Sequence, residues 1–412
     1  MIRNAVIFYA VVFALVAGEG TAQSLGKIQP ASSLQLAQPA KRILACQSDS
    51  AGTGYRIWAV TVDGLMLQQN ATVTQLSPPG ARMAHAQTSR AQNRLAVLAQ
   101  VHDAKSGEAR WLLQIFRSSG SLQTAFALPL HRDEPFPVVQ VTDRGERIFV
   151  ANPAIATLRI FDGSGGLLRE VRLFDDTAFD YERGLMLDVS ADGRWLAVAA
   201  MATAARPQHP LADRNSHLWL FDRDGREQWR LTLPEQSLYA LRMSDDSRFL
   251  AVASYDAYAA PDMIRKIRVF DRAGWQVQES HGLFDAARFD PEQQRLYFTD
   301  RRALRRLDLN TGEVHTLFSA SGSAQKIVAM LLSPGRRHLA VAVAQPQFRE
   351  NRFQFDQAQL FLISTDGRTR SALSPPEDEL QPPFLLPVQG ANRLAVTTKQ
   401  TLHLIPWEND GP

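Results

Sequence analysis

The sequence predicts an all-β fold, a β-propeller of four-stranded antiparallel blades closed into a ring, and three observations carry that expectation. One apolar motif recurs along nearly the whole chain. Short glycine-containing turns divide the recurrences into hairpins. The last recurrence is one strand short, a deficit that a circular array repairs. Eight blades are expected, with seven as the alternative.

The repeated motif is a polar turn, then Arg or a large side chain, then an apolar run ending in small residues. Its copies are Arg42-Ile43-Leu44-Ala45, Asn93-Arg94-Leu95-Ala96-Val97, Glu146-Arg147-Ile148-Phe149-Val150, Gly193-Arg194-Trp195-Leu196-Ala197-Val198, Ser247-Arg248-Phe249-Leu250-Ala251-Val252, Gln294-Arg295-Leu296-Tyr297-Phe298, Arg337-His338-Leu339-Ala340-Val341 and Asn392-Arg393-Leu394-Ala395-Val396. These eight copies lie 43 to 55 residues apart, room for four strands with variable loops.

Each copy leads into another strand, as in Leu158-Arg159-Ile160-Phe161-Asp162, Leu218-Trp219-Leu220-Phe221-Asp222, Ile267-Arg268-Val269-Phe270-Asp271 and Leu304-Arg305-Arg306-Leu307-Asp308. The turns that follow, Asp224-Gly225, Ala273-Gly274, Thr311-Gly312 and Asp366-Gly367, supply the positive φ that tight hairpins require. The final copy ends near Trp407 without its outer strand. The segment from Leu25 to Leu36 is therefore expected to add that strand and cover the open edge.

Ahead of the repeats, Arg3 is followed by an uninterrupted apolar run from Ala5 to Ala17, and Gly20 and Ala22 occupy the −3 and −1 positions of a cleavage site before Gln23. Thirteen apolar residues are short for a spanning helix, which needs roughly 20. Residues 1–22 therefore read as a secretory signal, 23–40 as an extension holding the closing strand, 41–407 as the propeller and 408–412 as a tail. The expected location is the periplasm or the exterior, with no membrane span after cleavage. The single cysteine, Cys46, allows no internal disulfide and reads as a small core side chain. Charges of both signs are interspersed around a net of +3, and the lack of a basic block argues against nucleic acid as a partner.

The elements Ser190-Ala191-Asp192-Gly193-Arg194-Trp195-Leu196-Ala197-Val198 and Ser333-Pro334-Gly335-Arg336-Arg337-His338-Leu339-Ala340-Val341 resemble the Ser-Pro-Asp-Gly-x-x-Leu-Ala-Val signature of bacterial periplasmic WD-repeat-like propellers of the TolB and YncE type. The run Phe221 to Trp229 is more distantly similar to repeats of quinoprotein-like propellers such as BamB. The resemblance spans residues 41–407 and implies strands and turns without chemistry; the cofactor-binding and metal-binding residues of quinoprotein dehydrogenases have no counterpart in it.

Function is expected on one face. The first-to-second and third-to-fourth strand connections are short, whereas the other two are expected to be long and irregular, and alternate connections of an up-and-down blade emerge together. The long connections supply the candidate binding residues Arg82, His85, His131, Arg183, Tyr255, Arg349, Arg352 and Phe353, with Phe348 to Asp356 alternating aromatic and charged side chains as interaction hot spots do. Asp175, Asp176 and Asp180 are oxygen donors of the kind calcium takes, but without regular ligand spacing the loop reads as a solvated connector. No cofactor is expected, calcium being the open alternative. With no Cys-x-x-Cys, Gly-x-Ser-x-Gly or phosphate-loop pattern, the favoured reading is a monomeric binding or scaffold protein of the cell envelope that receives a protein or small ligand. The alternative is a propeller enzyme or redox-enzyme subunit, such as a lactonase-like hydrolase, with a polar site at the channel mouth.

Overall fold

The computed structural model describes residues 24–28, 32–49, 54–76, 82–102, 109–129, 137–153, 155–174, 184–201, 215–256, 264–349, 352–373, 380–398 and 400–407. These residues form strands and turns only, with no helix among them long and apolar enough to cross a membrane. The leader expected over 1–22 lies outside them.

Eight four-stranded antiparallel units follow one another along the chain, at 42–75, 82–128, 138–172, 185–233, 236–281, 287–319, 326–373 and 380–406 completed by 32–35. The first and eighth join into one eight-stranded sheet through a short parallel contact of their inner strands, Cys46 beside Val388 and Gln47 beside Gln389. The expected propeller of eight blades is what the chain forms.

Why the blades assemble is visible in their burial. The second strand of each blade has neighbours on both sides and on both faces, so it is apolar without alternation: Trp195–Ala200 and Arg393–Thr398 are buried at every position but the first. Outer strands such as Leu167–Arg172 face water along almost their whole length. No blade encloses a core of its own. Eight apolar clusters are each shared by two neighbouring blades, from Trp58 with Leu95 between the first and second, round to Ile57 with Leu404 between the eighth and first. Cys46 lies fully buried in the last of these, and burial pushes its thiol up to about 12, so it stays a protonated, inert core side chain.

The repeated signature is a capped turn. Ser190 Oγ accepts the Trp195 N–H at 3.0 Å and donates to Asp192 Oδ1 at 2.6 Å, while Asp192 accepts the Arg194 N–H at 3.0 Å. Ser244, Asp246 and Phe249 repeat the arrangement one blade on. Gly193 sits in the left-handed region at φ 69°, and the turn of the sixth blade takes that conformation one residue later in register, at Gln294 with φ 51°.

The ring closes as expected, with Ser32–Gln35 antiparallel to Thr401–Pro406 as the fourth strand of the last blade. Two details differ from expectation. Residues 25–28, assigned to the closing strand, belong to Ser24–Ile28, which runs parallel to Arg370–Leu373 on the outer edge of the seventh blade. The first motif copy, Arg42 to Ala45, opens the inner strand Arg42–Ser48, whereas the other seven lie on second strands; the corresponding strand of the first blade is Tyr55–Thr61. Both are apolar because both are buried on two faces, so the pattern alone does not separate them.

Two outcomes follow. Deleting residues 23–38 removes both N-terminal strands, uncovers two sheet edges, and is expected to lower the thermal midpoint by roughly 5–10 °C with self-association on size exclusion; unchanged melting and monodispersity would contradict the closure. Replacing Gln294 by Gly relieves about 1–2 kcal/mol of left-handed strain against about 0.5–1 kcal/mol of added chain entropy, so the urea midpoint is expected to rise; a fall would show that the Gln294 side chain makes a compensating contact.

Candidate functional site

The inner strands of consecutive blades touch all the way round and leave a central channel holding a cavity of about 830 Å³. Its wall is unusually rich in arginine, with Arg42, Arg90, Arg242, Arg288 and Arg336 lining it. Strand geometry places them: Arg42, Arg242 and Arg288 lie on inner strands and Arg90 and Arg336 in the turns just beyond, so their charged side chains meet the channel while apolar neighbours pack between blades.

Arg90, just past the inner strand Arg82–Thr88 of the second blade, reaches across to the fourth and fifth. Its Nη1 donates to the Val189 carbonyl at 3.1 Å, its Nη2 donates to the Met243 carbonyl, and its Nε lies 3.1 Å from Asp245 Oδ1. Asp188, on Leu185–Val189, accepts the Met243 N–H at 2.6 Å and stands 3.8 Å from Arg242 Nη1 and 3.9 Å from Arg90 Nη2. Asp143 Oδ1 accepts the Ala91 N–H at 2.7 Å. Arg288, on Ala287–Asp290 of the sixth blade, donates Nη1 to its neighbour's carbonyl, Ala287 O, at 2.7 Å. Burial first, then repulsion from Arg242 and Arg90, pushes the Arg288 guanidinium down to about 9, against the attraction of Asp245 and Asp188. It remains charged at neutral pH. Burial likewise lowers Arg90, with Asp188 opposing.

The lining contains no His, Cys, Lys or Tyr among the described residues. Its turn hydroxyls are engaged, Ser89 with Arg94 N, Ser190 with Trp195 N and Ser333 with His338 N. The arrangement is suited to holding anionic oxygens through forked guanidinium donors. No group of three or more His, Cys, Asp or Glu that could hold a metal occurs among the described residues.

The residues singled out in the sequence are dispersed. Arg82 and His85, expected on a loop, belong to the inner strand of the second blade. His85 Nε2 lies 3.1 Å from Gln87 Oε1, and burial, with Arg42 adding to it, holds the imidazole below its usual value against that hydrogen bond. Tyr255 is exposed near the end of Phe249–Asp256. His131, Arg183, Asp175, Asp176 and Asp180 lie outside the described residues, as do the side chains of Arg82, Arg352 and Phe353.

The span 348–356, expected as a loop, is instead mostly paired strand. His338–Arg349 and Arg352–Ser364 are the longest strands of the fold. Beyond Ala344 their pairing continues without the inner strand, Gln345 with Asp356 through to Arg349 with Arg352, as a two-stranded ribbon. Such a ribbon is marginal alone; an edge-to-face contact of Phe355 with Phe384 of the eighth blade, centroids 4.7 Å apart, anchors it. Phe348 is 64% exposed, and the Arg349 guanidinium lies 3.3 Å from Asp356. The alternating aromatic and charged residues are therefore strand alternation, which the sequence displayed at period two.

Repeated capped turns, eight four-stranded blades and a closing N-terminal strand define a β-propeller. No protein-family model matches the chain, and no curated protein matches it significantly. Among solved structures, the C-terminal WD40 domain of Sif2 aligns over 93% of this chain and 99% of its own, at a TM-score of 0.56 and 12% identity. The β-propeller domain of Cps50 (Swd1) from Myceliophteria thermophila aligns over 91% and 98%, at a TM-score of 0.46 and 12% identity. The likeness to Sif2 is one of fold.

His85 is expected to titrate below 6.5. As the unfolded chain then takes up its proton first, His85 contributes a loss of stability as pH falls from 6.5 toward its folded value. An NMR titration of its ring protons with a midpoint at or above 6.5 would contradict the buried setting.

Proposed function

We propose that this chain is an exported propeller of the bacterial cell envelope that works by binding a partner protein through its long-loop face, without catalysis. The observation that carries the reading is the ribbon of the seventh blade: it continues past the sheet on that face and holds Phe348 64% exposed beside a 57% exposed Arg349. A large aromatic and a forked cation on a preformed strand pair bury area on binding at small entropic cost. The apolar run at residues 5–17 with its small-residue site supports export.

The test compares two double variants in capture of cross-linked polypeptides from envelope extract. Phe348→Ser with Arg349→Ala is expected to weaken capture by about 2 kcal/mol or more, whereas Arg194→Ala with Arg368→Ala, on exposed side chains of the short-turn face, leaves it intact. The opposite pattern would move the working face to the other side of the ring.

A further inference from the structure

We propose that the central channel is a separate binding site, for a small molecule bearing carboxylate or phosphate groups, seated on Arg288 and Arg242 with Arg90 beside them. The charges facing this part of the channel do not balance. Asp245 lies against Arg90, and Asp188 is shared by Arg90 and Arg242 while also accepting a backbone N–H. Asp143 is turned to the Ala91 N–H. Arg288 has no carboxylate within ion-pair distance among the described residues, and its hydrogen bond to Ala287 O engages one of five N–H donors.

With Arg336 paired to Asp290 and Glu292, the lining still sets four guanidinium groups, of Arg42, Arg90, Arg242 and Arg288, against three carboxylates, of Asp143, Asp188 and Asp245, across a cavity of about 830 Å³, a volume typical of small-molecule sites. A deep cation without a partner weakens the unliganded fold. An anion seated there would supply the missing charge. The cavity lies within the ring of inner strands and is walled by their side chains, which suits a compact oxyanion and not a flat protein surface. Arginine fixes the chemistry further, since its planar fork matches the paired oxygens of a carboxylate or phosphate.

The proposal stands independently of the long-loop reading and is tested on the full chain by titration calorimetry at constant ionic strength, with citrate as the polycarboxylate, pyrophosphate as the phosphate and glucose as the uncharged control. At least one of the two anions is expected to bind saturably and glucose not at all; which anion binds more tightly identifies the headgroup. Arg288→Met is expected to weaken the bound anion about tenfold or more, to melt no lower than the parent without anion, and to lose the anion's stabilising effect on melting. Arg288→Lys, which keeps the charge without the fork, is expected to fall between. The proposal is overturned if neither anion binds saturably, if Arg288→Met binds as the parent does, or if Arg288→Met without anion melts well below the parent or fails to fold, which would make Arg288 a structural cation.

Discussion

Apolar packing between blades is the interaction on which everything else in this molecule depends. Each four-stranded sheet presents two faces and covers neither, so a blade alone has no interior; the eight shared clusters are the only large apolar cores among the described residues. Stability is therefore a property of neighbours, as in a linear solenoid, except that the ring has no terminal repeat whose outer face must be made polar. The channel and its crowded arginines follow from the same constraint, because eight inner strands packed side by side leave an axis that no blade fills.

The sequence made the architecture legible because the second strands carry it. A strand buried on both faces admits only small and apolar residues, and Leu-Ala-Val recurs wherever two clusters must be served from one strand. The turns were equally readable, since Ser, Asp and Gly each satisfy a particular backbone demand in them. What the pattern did not separate was an inner strand from a second strand in the first blade, where Arg42 to Ala45 meets the same burial. The ribbon was misread as a loop because polar and aromatic residues alternating beyond the sheet look irregular unless they are read at period two.

The channel residues escaped for a different reason. Arg90, Asp188, Arg242 and Arg288 come from four blades and share no motif, and their juxtaposition is a product of ring closure. A signal was nevertheless present: Asp188 within Leu-Met-Leu-Asp-Val and Arg242 within Ala-Leu-Arg-Met interrupt runs that are otherwise apolar. A charge in such a place needs a partner or a cavity. Arg90 shows how both needs are met at once, bonding carbonyls of two blades on the far side of the axis while facing Asp245. The cross-ring tie fixes the inner strands relative to one another and keeps the neighbouring guanidinium groups in place.

The last blade has a consequence for the order in which this chain folds. Thr401 hydrogen-bonds to Gln35 across 366 residues of sequence, so the fourth strand of that blade is synthesised long before its partner. Holding such distant ends together is thermodynamically mild, since each doubling of loop length adds only about 0.6 kcal/mol. Kinetically it is severe, because contacts of large sequence separation form late. For most of its synthesis the chain is an open arc, with the first blade's inner strand lacking its parallel neighbour and the N-terminal strands lacking any sheet to join. Closure of the ring thus waits for the eighth blade, and whatever meets the chain before then meets an arc with two unsatisfied ends.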